Sequence, residues 1–213
     1  TSMQSITAKH LSDLSIGTLL LFLKRWLEMF SPILSSYLYK KNFKLDVNVL
    51  KDKTLQIKSN DKGRIMSNFG GWQSHPFKQV NKSFKDLFNE INKIVLEIAK
   101  KLEIVKPIKL HNYWLNINKF GSFNRPHTHF GGAVSGVYYI STPKNCGNIV
   151  FTQPHSISDY YGTTKKFNEY NSPEWFQVPE ENLCLLFPSY ISHYVEPNLS
   201  QEERISISFN YGF

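Results

Sequence analysis

Two histidines, His127 and His129, lie one residue apart in the stretch Asn-Arg-Pro-His-Thr-His-Phe-Gly-Gly, residues 124–132. In extended backbone, residues i and i+2 project to the same side, so both imidazoles can address one point. A third histidine, His193, follows at the end of Leu-Leu-Phe-Pro-Ser-Tyr-Ile-Ser-His, residues 185–193, and Arg204 and Ser206 come after it at i, i+2 spacing. Two ligands from one short segment and a third from a distant one form a facial set that leaves metal positions open, an arrangement suited to Fe(II) and dioxygen. A neighbouring arginine offers a planar fork for a carboxylate. An isolated histidine on a strand is usually a satisfied structural residue; only the four positions together point to a site. A metal site of this spacing usually carries a carboxylate where His129 stands.

These side chains need a β scaffold, and the second half of the chain has the pattern for one. Leu-His-Asn-Tyr-Trp-Leu-Asn-Ile-Asn (110–118), Ala-Val-Ser-Gly-Val-Tyr-Tyr-Ile-Ser (133–141), Gly-Asn-Ile-Val-Phe-Thr (147–152), Asn-Leu-Cys-Leu-Leu-Phe (182–187) and Arg-Ile-Ser-Ile-Ser-Phe-Asn-Tyr (204–211) are short β-branched or aromatic runs separated by turn residues. In the last run Arg204, Ser206, Ser208 and Asn210 alternate with Ile205, Ile207 and Phe209, giving one polar and one packed face. Several short strands without helices between them imply an antiparallel sandwich or barrel. Upstream, residues 81–104 read as an amphipathic helix with Phe84, Leu87, Phe88, Ile91, Ile94, Val95, Ile98 and Leu102 on its packed face. Ser83 and Asp86 suggest a capping box there, and Pro107 marks the exit.

Length and composition suit one folded domain: 213 residues, 41% hydrophobic and 20% charged, with aromatics at 15%. The net charge of +8 admits an anionic partner such as nucleic acid, but the Lys/Arg residues form no dense run, so that partner has no support in the patterning. Cys146 and Cys184 belong to no CxxC pair, which argues against a disulfide framework and for a reducing, cytoplasmic setting. Residues 14–26 contain an apolar run too short to span a bilayer, followed rather than preceded by Lys24 and Arg25. Residues 1–28 are therefore expected to be a helical extension, packed on the body of the protein or lying on a membrane surface. Residues 29–213 are expected to form one domain, with its barrel over about 108–213.

The motifs, taken in order, resemble the 2-oxoglutarate/Fe(II)-dependent oxygenases, and most closely their prolyl-hydroxylase-like branch and a group of such oxygenases from bacteria and marine phages. The segments that carry the resemblance are Ser-Asn-Phe-Gly-Gly-Trp-Gln-Ser (67–74), His-Thr-His (127–129), Ser-Gly-Val-Tyr-Tyr-Ile (135–140), Gly-Asn-Ile-Val-Phe (147–151), Leu-Leu-Phe-Pro-Ser-Tyr-Ile-Ser-His (185–193) and Arg-Ile-Ser-Ile-Ser-Phe-Asn (204–210). The resemblance implies a mainly β fold with supporting helices, a double-stranded β-helix (jelly-roll, cupin-like) barrel with an N-terminal helical region. It implies Fe(II) as cofactor, 2-oxoglutarate and dioxygen as co-substrates, and hydroxylation of a primary substrate that the sequence does not name. His127 and His193 match iron ligands. Arg204, with Ser206 beside it and Tyr139 nearby, matches the grip on the far carboxylate of 2-oxoglutarate. Asn116 and Asn118 are candidates to touch that co-substrate.

His129 departs from the wider superfamily, which has Asp or Glu in its slot. Either the imidazole ligates the metal itself, making a more cationic site, or it stands behind a water that does. Two other readings stay open: a three-histidine dioxygenase that uses no 2-oxoglutarate, and a non-catalytic barrel that binds a partner. Arg204 and Ser206 weigh against the first, which needs no diacid anchor. Ser-Asn-Phe-Gly-Gly-Trp-Gln-Ser suits a lid over the site or a structural turn equally well. His75, His111 and His155 have no spacing partner, although His155 is placed to line a substrate entrance.

Overall fold

The alternating runs of the C-terminal half become antiparallel strands in the computed structural model of the protein, which describes residues 36–153, 166–168 and 171–213. In chain order these residues form β1 (Tyr39–Asn42), α1 (Val47–Lys58), β2 (Asn68–Phe69), β3 (Trp72–Gln73), a 3-10 turn (Lys82–Phe84), α2 (Lys85–Lys101), β4 (Lys109–Asn118), β5 (Phe123–His127), β6 (Val134–Ser141), β7 (Ile149–Thr152), β8 (Glu174–Gln177), β9 (Leu183–Pro188), β10 (His193–Val195) and β11 (Arg204–Gly212). The extension at residues 1–28, the segment at 29–34 and His155 lie outside the described residues. Backbone contacts join Ser36–Phe213 into one unit. No helix among the described residues is long and apolar enough to cross a membrane.

Two sheets result, a six-stranded one in the order β1-β9-β6-β11-β4-β3 and a five-stranded one in the order β2-β5-β10-β7-β8. From β4 onward the chain passes back and forth between them: β4, β6, β9 and β11 join the larger sheet, and β5, β7, β8 and β10 the smaller. That alternation, with every pairing antiparallel, is the double-stranded β-helix that the family resemblance implied.

β11 holds the larger sheet together. It lies between β4 and β6, with Ser206 opposite both Asn116 and Tyr139, and Arg204 opposite Asn118. Its period of two divides the molecule. Ile205, Ile207, Phe209 and Tyr211 join the apolar cluster shared with α2, while Arg204, Ser206 and Ser208 line the space between the sheets. A second apolar cluster, including Tyr139, Phe151, Leu185 and Phe187, fills the rest of that space.

The helical stripe packs as its spacing predicts. Phe84, Leu87, Phe88, Ile91, Ile94, Val95 and Ile98 are no more than 5% exposed, and the Phe88 ring lies 4.8 Å from Tyr113 and 6.1 Å from Phe209. Two details differ from the sequence reading. Asn81, rather than a Ser83–Asp86 capping box, starts the helical segment, its side chain accepting from the Ser83 amide. Leu102 falls past the last helical turn and is 47% exposed. Phe88→Ala is therefore expected to lower stability by about 3–5 kcal/mol, whereas Leu102→Ala stays within about 0.5 kcal/mol of wild type. Urea unfolding of the two variants checks the contrast, and equal losses would show that the stripe continues beyond Ile98.

Candidate metal centre

The sheet register brings the three histidines together. On β5 and β10, His127 stands directly opposite His193, which on its other side faces Phe151 of β7. His129 follows two residues after β5, and its backbone N–H donates to the Ser189 carbonyl at 2.9 Å. The ring centroids are 4.4 Å apart for His127 and His193, 5.2 Å for His127 and His129, and 5.0 Å for His129 and His193. One ring nitrogen from each lies within 4.8 Å of the others, close enough to share a metal ion. No carboxylate joins this cluster among the described residues.

Each ring has its Nδ1 occupied. His127 Nδ1 meets the Arg125 carbonyl at 2.7 Å, and His193 Nδ1 meets the Ile191 carbonyl at 2.9 Å, in both cases two residues back along the chain. His129 Nδ1 meets Asn210 Oδ1 at 2.5 Å and Ser135 Oγ at 2.9 Å. A carbonyl oxygen only accepts, so Nδ1 carries the proton and Nε2 presents its lone pair. This is how a metal-ligating imidazole is oriented from behind. Burial is the main cause that lowers all three pKa values. His193 falls to about 3, with the charges of His127 and His129 adding to the effect, and His129 falls to about 4 against a hydrogen bond to Asn210 that raises it. His127 is lowered too, against the Arg125 carbonyl. At neutral pH the rings are uncharged, the form in which histidine ligates.

The second half of the site is a buried cation. Arg204 opens β11 and is 2% exposed; its Nη1 donates to the carbonyls of Cys146 and Gly147, the latter at 3.2 Å. Gly147 takes up a left-handed backbone, φ +83°, and a Cβ there would lie 2.7 Å from the Pro197 carbonyl, so glycine is required for this carbonyl to turn inward. No acidic side chain lies within 4.0 Å of the Arg204 guanidinium among the described residues. Two carbonyl dipoles only partly offset the cost of a buried charge, which leaves the guanidinium suited to an anion. Burial raises the pKa of the adjacent Tyr139 phenol, with the Arg204 charge pulling partly back, so the phenol keeps its proton and remains a donor.

All the residues singled out from the sequence, His127, His129, His193, Arg204, Ser206, Tyr139, Asn116 and Asn118, line one cavity between the sheets. The cavity also takes Ser67, Trp114, Asn124 and Ser208, which the sequence reading passed over. Ser208 was legible as part of the polar face of β11, and Trp114 stands two residues before Asn116 on the same side of β4. Asn116 Nδ2 donates to Ser208 Oγ at 3.0 Å. Ser67 Oγ is 3.5 Å from His127 Nε2 and accepts from Asn124 Nδ2 at 3.1 Å. His75 pairs instead with Asp61, and the His111 ring lies over Gly212.

Ser-Asn-Phe-Gly-Gly-Trp-Gln-Ser is paired into both sheets. β2 pairs with β5, placing Asn68 opposite Asn124, and β3 pairs with β4, placing Gln73 opposite Asn116. Gly70 and Gly71 make the crossing. Trp72 Nε1 donates to the Asp61 carbonyl at 2.9 Å, and Asn68 Nδ2 donates to the Arg64 and Gly71 carbonyls. The segment is a structural tie beside the site.

Residues 112–210 match the family model described as "Putative 2OG-Fe(II) oxygenase". No curated protein matches the chain by sequence. Among solved structures, a prolyl-4-hydroxylase from Pseudomonas putida is 13% identical with a TM-score of 0.61, covering 84% of this chain and 94% of its own. A prolyl hydroxylase from Trichoplax adhaerens, solved with a hypoxia inducible factor peptide fragment, is 14% identical with a TM-score of 0.61 and covers 94% of each chain. HygX from Streptomyces hygroscopicus, solved with nickel and 2-oxoglutarate, is 10% identical with a TM-score of 0.57, covering 93% of this chain and 87% of its own. At these identities the structural likeness speaks for the fold, and the family match speaks for the sequence pattern. The chain thus matches the pattern of the 2-oxoglutarate/Fe(II) oxygenases over residues 112–210 and has a fold of the prolyl-hydroxylase-like kind.

Proposed function

We propose that the protein is an Fe(II)- and 2-oxoglutarate-dependent oxygenase that hydroxylates a primary substrate, with His127, His129 and His193 holding the metal. One observation carries the reading: three neutral, pre-oriented imidazoles converge in the same cavity as a buried arginine that forms no ion pair within 4.0 Å among the described residues. The donor set fits Fe(II), because imidazole nitrogen suits it and His127, His129 and His193 would hold it while leaving it open to a co-substrate. Bound there, Fe(II) supplies the redox chemistry that couples oxidative decarboxylation of 2-oxoglutarate, to succinate and carbon dioxide, with oxidation of a C–H bond.

The chain's own groups bind and exclude. Arg204 receives the far carboxylate of 2-oxoglutarate through the donors its two carbonyl contacts leave free, and the protonated Tyr139 phenol and Ser206 hydroxyl add neutral donors to the same anion. Asn116 and Asn118 form the polar wall along which the co-substrate lies. Phe151 and Phe187, 4.9 Å apart and each packed against the His193 ring, keep water from that side of the metal position. An arginine anchor favours this reading over a three-histidine dioxygenase without 2-oxoglutarate.

Anaerobic titration with Fe(II) and 2-oxoglutarate is expected to give the weak visible charge-transfer band of the chelate, and His193→Ala is expected to abolish it. Iron binding without the band would favour the oxygen-only dioxygenase; no iron binding would leave a non-catalytic barrel. Arg204→Ala is expected to keep Fe(II) bound while weakening 2-oxoglutarate roughly 100-fold, the scale of about 3 kcal/mol for charge-assisted hydrogen bonds. A co-substrate dependence equal to wild type would remove Arg204 from this role. His129→Asp, which restores the superfamily ligand, is expected to hold Fe(II) at least as tightly as wild type in a competition assay. Loss of the metal in that variant would assign the imidazole a task a carboxylate cannot perform.

A further inference from the structure

His129 differs from its two companions in how its ring is held. The rings of His127 and His193 are fixed by backbone carbonyls two residues earlier, a contact internal to each segment. The His129 ring depends on side chains from distant strands. Asn210 of β11 places its Oδ1 2.5 Å from His129 Nδ1 and accepts from Ser135 Oγ at 2.8 Å. The orientation of the Asn210 amide is fixed in turn, because its Nδ2 donates to Asn112 Oδ1 at 3.1 Å on β4. Ser135 Oγ is also 2.8 Å from Ser189 Oγ, and the Ser189 carbonyl takes the His129 backbone N–H at 2.9 Å. Strands β4, β6 and β11 thus close a polar network behind the one histidine that occupies the carboxylate slot.

We propose that Asn210 is the positioning residue that makes His129 a metal ligand and keeps the ligand set neutral. The proposal rests on the reading of the three histidines as a metal site and adds to it the device that lets an imidazole serve where the superfamily has Asp or Glu. An amide oxygen accepts the Nδ1 proton and turns Nε2 toward His127 and His193, yet it brings no charge of its own. A carboxylate at 210 would accept the same proton and pass negative charge through the ring to the metal. Asn112 contributes by holding the amide with its oxygen toward His129, an orientation that Asn210 alone would not keep.

The test is Co(II) binding by the full-length protein, followed by its visible absorption and by competition with a chelator, with thermal unfolding of the metal-free protein as the check on folding. Asn210→Ala is expected to weaken Co(II) about 10- to 100-fold, the range for losing the partner of a ligating histidine, and to change the absorption bands. Asn210→Asp is expected to recover the wild-type bands and bind Co(II) more tightly than wild type. If Asn210→Ala binds Co(II) within about twofold of wild type with the same bands while His193→Ala does not bind, the metal site stands and the role of Asn210 is overturned. If His193→Ala also binds Co(II) unchanged, the metal site itself falls and the proposal with it. Should Asn210→Ala fail to fold, Asn210→Asp alone decides: tighter binding supports the proposal, and equal or weaker binding overturns it.

Discussion

The alternation of side chains along β11 is the constraint on which everything else in this molecule depends. A strand has two faces, and this one spends them on different tasks: Ile205, Ile207, Phe209 and Tyr211 are buried against the helix side, and Arg204, Ser206, Ser208 and Asn210 face the space between the sheets. Because β11 lies between β4 and β6, its register also sets theirs, aligning Asn116, Asn118 and Tyr139 with its polar face. A slip of one residue would send Arg204 into the apolar cluster and Ile205 into the cavity. The packing of α2 and the chemistry of the cavity are therefore fixed by the same row of backbone hydrogen bonds.

Charge balance gives the site its second logic. Under the proposed function, three neutral rings and an arginine with no ion pair within 4.0 Å among the described residues would make a cationic cavity once a divalent metal is counted, and a dianionic co-substrate would compensate it. No carboxylate joins the histidine cluster among the described residues, so under that reading the co-substrate itself would be the main counter-ion. The neutral hydrogen-bond donors around Arg204, a phenol and a hydroxyl, fit that scheme, since they favour the anion without adding charge.

Much of this was legible from local pattern. The i, i+2 spacing of His127 and His129, the distant His193 and the alternating Arg204–Asn210 run were enough to nominate residues that do share one cavity. What stayed hidden was whatever depends on register between distant strands. Asn210 and His129 are 81 positions apart, and nothing local marks the asparagine as the partner of that ring. Helix α1 escaped because exposed Val49 and Lys51 blur its stripe, leaving Leu50 and Thr54 as its buried residues. β1 was hidden in Tyr-Lys-Lys-Asn, which looks like a charged surface run until its pairing with β9 is seen. The role of Ser67–Ser74 was ambiguous for the same reason: its two short strands have meaning only through partners in different sheets.

That last segment makes the sandwich resemble a bound book. On the side of β4 and β5 the two sheets are joined by continuous chain, with β2 and β3 paired into opposite covers and two glycines as the spine. On the opposite side, β1 and β8 are linked among the described residues by one exposed side-chain hydrogen bond, Lys40 Nζ to Gln177 Oε1 at 2.8 Å. His127 lies on the strand next to the spine. The spine thus ties the two covers together beside His127, so the first of the three histidines sits where the sheets are joined by main chain.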